Sequence, residues 1–132
     1  MSTMRASGPF VVHVSTPPAY NTEDASHARM SIDKQFKGDL EATSKGEMLS
    51  AGSVVKGSAG YVAIERVTGS LAGRTGTFVL QHSATMNRGV PQLSITVVPD
   101  SATGDLIGLT GTMMINIDAG KHSYDFDYNL PS

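Results

Sequence analysis

The chain contains no cysteine and no tryptophan, and charged residues make up only 17% of its 132 positions. Without cysteine, disulfide bonds, thiolate catalysis and cysteine-ligated metal sites are all excluded. The 10 basic residues are scattered among 12 acidic ones and form no basic stripe, so we expect no nucleic-acid partner. No apolar run has transmembrane length, and the first residues lack the apolar core of a signal peptide. We therefore expect a cytoplasmic protein with no membrane partner.

Helical periodicity is missing as well, because no stretch of ten residues places its apolar side chains at a helical spacing. Alternation of apolar and polar residues dominates instead, and 14 glycines supply sharp turns. We predict a flexible N-terminal tail over residues 1–8 and one all-β domain over residues 9–130. Open edges are costly in such a sheet, so we predict a closed eight-stranded antiparallel barrel. The predicted strands lie near residues 10–14, 29–36, 40–50, 61–67, 75–84, 93–97, 110–117 and 124–130.

A repeated segment indicates where the strands turn. Gly69–Phe78 returns as Gly104–Met113 with six of its ten positions identical, and Gly38–Ser44 is a weaker third copy. Each copy lies between two predicted strands, so we interpret the repeat as a device that turns one strand into the next in three hairpins.

Superposing the two clear copies assigns their inward faces. Phe78 corresponds to Met113, and His82 corresponds to Ile117, so His82 is predicted to point inward at a position that is apolar in the other copy. A buried imidazole could act as a general base or orient a ligand. We favour the structural alternative, a histidine at the barrel mouth that bonds one backbone group.

Two further charged positions fall on predicted strands. Lys34 is in phase with apolar neighbours, so its ammonium either meets a carboxylate or an anionic ligand inside the barrel or, as we favour, reaches out past the rim. Glu65 and Arg66 are adjacent, so only one of them can face the interior, and the pattern does not decide which. An inward Glu65 could pair with Lys34 or His82, and an inward Arg66 could bind a carboxylate ligand. For either residue a purely structural ion pair is the favoured interpretation.

Tyrosines supply the remaining candidate polar groups of a cavity. Tyr61 shares a face with Glu65, while Tyr124 and Tyr128 share the aromatic face of the last strand. Asp125 and Asp127 lie on the opposite face of that strand, which we interpret as a solvated surface because a hard cation needs more ligands from several segments. We expect no metal and no cofactor.

Three segments carry a resemblance to a known family. Tyr61–His82, Val97–Gly111 and the strand near Phe36–Leu40 resemble a family of small bacterial proteins of unknown function. That family is similar to the plant allene oxide cyclases and dirigent proteins, which are eight-stranded antiparallel barrels with an apolar cavity and are commonly oligomeric. The resemblance implies an allene-oxide-cyclase-like barrel. It does not imply the cyclase activity, because no motif in this chain matches the cyclase's catalytic residues.

Three functions remain open at this stage. The first is a binding module that holds a small apolar or amphipathic molecule in the barrel, oriented by groups such as His82, Glu65, Arg66 and Tyr124. The second is a cofactor-free isomerase or cyclase in which His82 or Glu65 transfers a proton. The third is a filled barrel with a structural or interaction role. A cavity of several hundred Å³ lined by His82 with Glu65 or Arg66 would support the first two functions, whereas an interior filled by Phe78, Met113, Phe126 and Tyr128 would exclude both and favour the third.

Strand 61–67 has apolar residues on both faces, and an apolar outer face is usually covered by a neighbouring subunit. We therefore expect a homodimer or a homotrimer.

Overall fold

The computed structural model describes residues 3–18 and 26–131, which form the predicted closed barrel of eight antiparallel strands. Each strand pairs with its neighbours in chain order, and the last strand pairs with the first. No helix in the described residues is long and apolar enough to cross a membrane. The strands are β1 (Met4–Ser15), β2 (His27–Phe36), β3 (Leu40–Gly52), β4 (Ala59–Leu71), β5 (Arg74–Asn87), β6 (Val90–Val97), β7 (Thr110–Asp118) and β8 (Lys121–Asn129).

The first strand begins earlier than predicted, and this corrects the proposed tail. Residues 4–10 of β1 pair with β8, and residues 10–15 pair with β2. Residues 4–8 are therefore an ordered part of the barrel, and residues 1–2 lie outside the described part of the chain. Local sequence gave no signal because the hydrogen-bonding partner of this segment lies more than 100 residues away.

The repeated segment closes one end of the barrel, which we call the lower end. Leu40, Leu71 and Leu106 occupy the same position in the three copies, and each is at most 1% exposed. The second copy turns β4 into β5 through Ala72 and Gly73, whose positive φ angles of 48° and 83° are those of a tight hairpin turn. The third copy is a longer connection that contains a short 3-10 helix, Gly104–Leu106.

Aromatic side chains fill the lower half of the interior. The ring of Phe126 stacks on Phe78 with centroids 5.8 Å apart and on Tyr128 at 5.4 Å. The Tyr124 hydroxyl accepts a hydrogen bond from the backbone N–H of Leu40 at 2.8 Å and donates to the carbonyl of Lys37 at 2.7 Å. These two hydrogen bonds tie β8 to the turn between β2 and β3. Together with the stacked rings, they make the lower half a packed core.

The seam between β6 and β7 is the weakest of the barrel. Thr96 and Thr112 are the only registered pair between these two strands in the described residues. At the upper end of the seam, the inward-phase residues Leu93 and Ile117 are 42% and 67% exposed. The repeat therefore predicted correctly that Met113 on β7 faces inward and is buried. Ile117, which corresponds to the buried His82, is exposed instead.

Candidate functional site: a buried polar cluster in the upper half

The inward faces of three strands bring three charged or titratable side chains together. Lys34 lies on β2, Glu65 on β4 and His82 on β5, and these residues are 6%, 0% and 3% exposed. We call these three residues the polar cluster. Alternation along β4 buries Glu65 and leaves Arg66 exposed on the outer wall. Arg66 is therefore not a residue of the interior.

A single oxygen of Glu65 joins the cluster. Its Oε2 accepts a hydrogen bond from Lys34 Nζ at 2.9 Å and lies 2.6 Å from His82 Nε2. Two favoured expectations are corrected by this geometry. Lys34 does not reach past the rim, because burying an ammonium beside a carboxylate satisfies its charge, and His82 is bonded to that carboxylate rather than to a backbone group.

The surroundings keep Glu65 ionised. Burial by itself raises the pKa of Glu65, but the hydrogen bond from His82 and the positive charge of Lys34 outweigh it and hold the pKa below the ordinary value of 4.5. The Lys34 ammonium also lies over two aromatic rings, 5.2 Å from the centroid of Phe10 and 5.8 Å from that of Phe36. These rings stabilise the cation from the side of the packed core.

Two buried oxygen atoms beside the cluster have no hydrogen-bond partner in the described structure. They are Oε1 of Glu65 and Oγ of Ser44, and Ser44 pairs with Lys34 across the β2–β3 ladder. A buried polar atom without a partner costs about 1–3 kcal/mol, so these atoms indicate a place where a donor group could bind. Sequence analysis missed Ser44, although its inward phase with Leu40 on β3 was visible.

Gly46 allows β3 to approach the cluster. It pairs with Glu65, and a Cβ atom at this position would collide with the carbonyl oxygen of Ile64 and lie 2.7 Å from the Cβ of Glu65. Any larger residue would push β3 away from β4 beside the buried carboxylate. The sequence shows only a glycine within a predicted strand. The reason for it, the close approach to Glu65 on β4, is visible only in the structure.

The predicted tyrosines separate into two groups. Tyr61 is half-buried above the cluster, and its pKa is raised by burial and, to a smaller extent, by the negative charge of Glu65. Tyr124 and Tyr128 belong to the lower core instead, where Tyr124 bonds the backbone and Tyr128 stacks on Phe126. Only Tyr61 is placed to contact a molecule that reaches the cluster from the upper end.

The chemistry open to the cluster is acid–base chemistry and hydrogen bonding. In the neutral form of His82, donation from Nε2 to Glu65 leaves Nδ1 as the basic nitrogen of the ring. No group of three or more His, Cys, Asp or Glu side chains in the described residues is arranged to hold a metal. Asp125 and Asp127 lie on the outer wall, where Asp127 binds Arg5 at 2.6 Å and Asp125 accepts from Ser7 at 2.8 Å.

The four residues whose packing was expected to exclude the first two functions fill the lower half of the interior, so any space for a ligand lies in the upper half of the barrel. Phe78, Met113, Phe126 and Tyr128 are all at most 4% exposed and occupy the lower interior. One concavity of about 720 Å³ touches His82, but it opens on the outer wall beside Val62 and Ile64. At the upper end of the barrel, several inward residues are only partly buried. We call them the mouth of the barrel: Met30, Met48, Tyr61 and Ala84.

Comparisons with known proteins agree on one family. A model described as "Protein of unknown function (DUF3224)" matches residues 6–128. A crystal structure of a DUF3224 protein of unknown function from Shewanella oneidensis MR-1 is 47% identical, with a TM-score of 0.93 over 99% of this chain and 100% of that chain. No curated protein matches. The chain belongs to the DUF3224 family of proteins of unknown function.

Proposed function

We propose that the protein binds a small amphipathic molecule at the upper mouth of the barrel, with Glu65 as the anchor of its polar group. The observation that supports this function is a fully buried, ionised carboxylate with one oxygen left without a partner. A ligand hydroxyl would donate to this oxygen and remove the cost of leaving it unsatisfied.

The free energy that is needed to bury the polar cluster supports a role for it other than stabilising the fold. A buried ion pair contributes little net stability, because desolvation of both charges offsets their attraction, and apolar replacements of similar volume are often neutral or stabilising. Three apolar side chains at these positions would fill the barrel interior equally well. Perturbed titratable groups in a partly accessible place are also common at functional sites.

The surroundings of the cluster define the ligand's chemistry. The negative charge of the Glu65 carboxylate is already balanced by Lys34, so a neutral polar group on the ligand fits better than a second full charge. The partly buried Met30, Met48 and Tyr61 would contact an apolar body, and methionine adapts to varied shapes. The packed lower half restricts the ligand to a small molecule that does not pass through the barrel.

An enzyme is the second candidate, supported by the contact between His82 and Glu65. A carboxylate that holds one ring nitrogen of a histidine fixes its tautomer and orients the other nitrogen for proton transfer. A cofactor-free isomerase or cyclase would need no further group. The eight antiparallel strands in chain order support assigning the barrel to the allene-oxide-cyclase-like type, as does the similarity of the plant cyclases to the family that Val97–Gly111 resembles.

Binding can be tested with a defined probe series, medium-chain primary alcohols, followed by NMR chemical-shift titration. We expect shifts centred on the mouth residues and an affinity about tenfold lower in Glu65→Gln, since a lost charge-assisted hydrogen bond is worth at least about 1.4 kcal/mol. Tyr128→Phe, in the lower core, is the matched control and should bind as the wild type does. An absence of shifts at the mouth, or equal binding by Glu65→Gln, would reject the site and favour a filled structural barrel.

Molecules that copurify with the protein then separate the binder from the enzyme. They would be identified by mass spectrometry and incubated with the wild type and with His82→Ala. Conversion by the wild type that is lost in His82→Ala supports the enzyme. Recovery of every compound unchanged, with binding intact, supports the binding module.

A further inference from the structure

The outer wall of the barrel carries most of its charges on one side. Between residues 75 and 99 the chain has one residue with a full charge, Arg88 at a turn, and between residues 106 and 117 it has none. The outward positions of β5, β6 and β7 are consequently uncharged except for Asp118, the last residue of β7 at the upper end. We call the following exposed outward residues the uncharged wall: Gln81, Ser83, Thr85, Gln92, Ser94, Thr96, Thr112, Met114 and Asn116.

The opposite wall, formed by β8, β1, β2 and β3, is charged. Salt bridges there join neighbouring strands, as between Arg5 and Asp127 at 2.6 Å and between Arg29 and Glu47 at 2.8 Å. A solvated surface of a small domain normally carries charges of both signs in this way. The uncharged wall departs from that norm over three consecutive strands.

The uncharged wall also contains the open seam. β6 and β7 share one registered pair, so their upper segments have backbone groups without a partner strand. One exposed apolar side chain of the wall, Met114 at 50%, lies along the same seam, and the inward-phase residues Leu93 and Ile117 are exposed where the seam opens. Unprotected edges of this kind favour association unless another chain covers them.

We propose that the uncharged wall is the interface between two copies of this chain. Depletion of charged residues marks the centre of protein interfaces. Nucleic acid, an anionic membrane or a strongly charged protein would require charges that this wall lacks. The serine, threonine, asparagine and glutamine side chains both donate and accept hydrogen bonds, so the wall complements a second copy of itself.

The geometry of the wall also selects the symmetry. A cyclic trimer needs two different complementary surfaces on each subunit, whereas a two-fold dimer uses one surface twice. The described strands provide one uncharged wall, β8, β1, β2 and β3 form the charged wall, and β4 between them carries Arg66 beside the exposed Val62 and Ile64. The structure thus favours the homodimer over the homotrimer.

Light scattering during gel filtration tests the interface directly. The wild type should have twice the chain mass of 13.9 kDa at micromolar concentration. Ser94→Arg and Met114→Lys each place a charge at the wall and should reduce the mass to that of one chain. Val11→Lys is the matched control, since Val11 is a 64% exposed apolar residue on β1 in the charged wall, and it should stay dimeric.

Circular dichroism would confirm that each variant is folded, and two variants on different strands guard against one failing to fold. Amide hydrogen exchange gives a second measurement, in which protection of β6 and β7 should rise with protein concentration while that of β1 and β2 should not. A monomeric wild type, or dissociation by Val11→Lys but not by Ser94→Arg, would overturn the proposal. Failure of alcohol binding would leave it intact, because the wall residues face away from the polar cluster.

Discussion

The lower and upper halves of the barrel interior are built on different principles. In the lower half, three repeat leucines and stacked aromatic rings fill the space. In the upper half, Lys34, Glu65 and His82 meet around one carboxylate oxygen, and the β6–β7 seam is barely paired. The lower half closes the fold, while the upper half buries costly polar groups below inward residues that are only partly buried.

The two halves contribute differently to the stability of this small domain. Apolar burial of about 25 cal/mol per Å² makes the lower half the main source of folding free energy. The polar cluster adds little to it, since desolvation offsets the attraction of its charges. We therefore expect truncation of apolar residues in the lower half to reduce stability, and changes in the upper half to affect stability only where they leave a buried charge without its partner.

The largest effect should come from breaking the polar cluster at one member. Glu65→Leu leaves Lys34 as an uncompensated buried cation, so we expect a loss of about 3–5 kcal/mol in the free energy of unfolding, measured in urea. The triple variant Lys34→Met/Glu65→Leu/His82→Leu removes every partner together and should recover most of that loss. If the single variant matches the wild type, the cluster is not a coupled charged unit.

Removal of a repeat leucine should have a similar or slightly smaller effect on the lower half. Leu71→Ala and Leu106→Ala each leave a cavity in a packed region, with an expected cost of about 2–5 kcal/mol. Ile107→Ala, beside Leu106 but 67% exposed, is the control and should leave the urea midpoint nearly unchanged. Equal effects at 106 and 107 would show that the repeat does not close the lower end.

The smallest effect is a difference in acid sensitivity between the two halves. The pKa of Glu65 is lowered in the folded state, so its contribution to stability is present above the unfolded value of about 4.5 and is lost as the pH falls through the lower folded value. Thermal unfolding below pH 4.5 should therefore show a steeper loss of stability in the wild type than in the triple variant. Leu71→Ala should keep the wild-type slope, and identical slopes in all three proteins would contradict an ionised Glu65.

Much of the fold followed from local patterns. Alternation and the repeat predicted eight strands in a closed barrel, with His82 inward, and these expectations are confirmed. The first half of β1 was missed because Ala6 and Gly8 carry no strong strand signal and their ladder partner lies on β8. Local patterns describe which face a residue occupies but not which distant strand pairs with it.

The site was predictable as a set of candidates, not as an arrangement. Lys34, Glu65 and His82 were each in phase with apolar neighbours, yet the favoured interpretations kept them apart. Arg66, Tyr124 and Tyr128 were equally plausible from the pattern, and the structure places them elsewhere. The roles of Ser44 and Gly46 become visible only when the strands that pair with β3 are known.

The sequence by itself determined the strands, the turns and the inward phase of His82, because these depend on residues close together in the chain. Only the tertiary structure decided that Lys34, Glu65 and His82 share one oxygen, and that Arg66 lies outside. The registers of β2 on β3, of β3 on β4 and of β4 on β5 set that outcome, and no local pattern records them. The same order of strands places the uncharged positions of β5, β6 and β7 side by side in one wall.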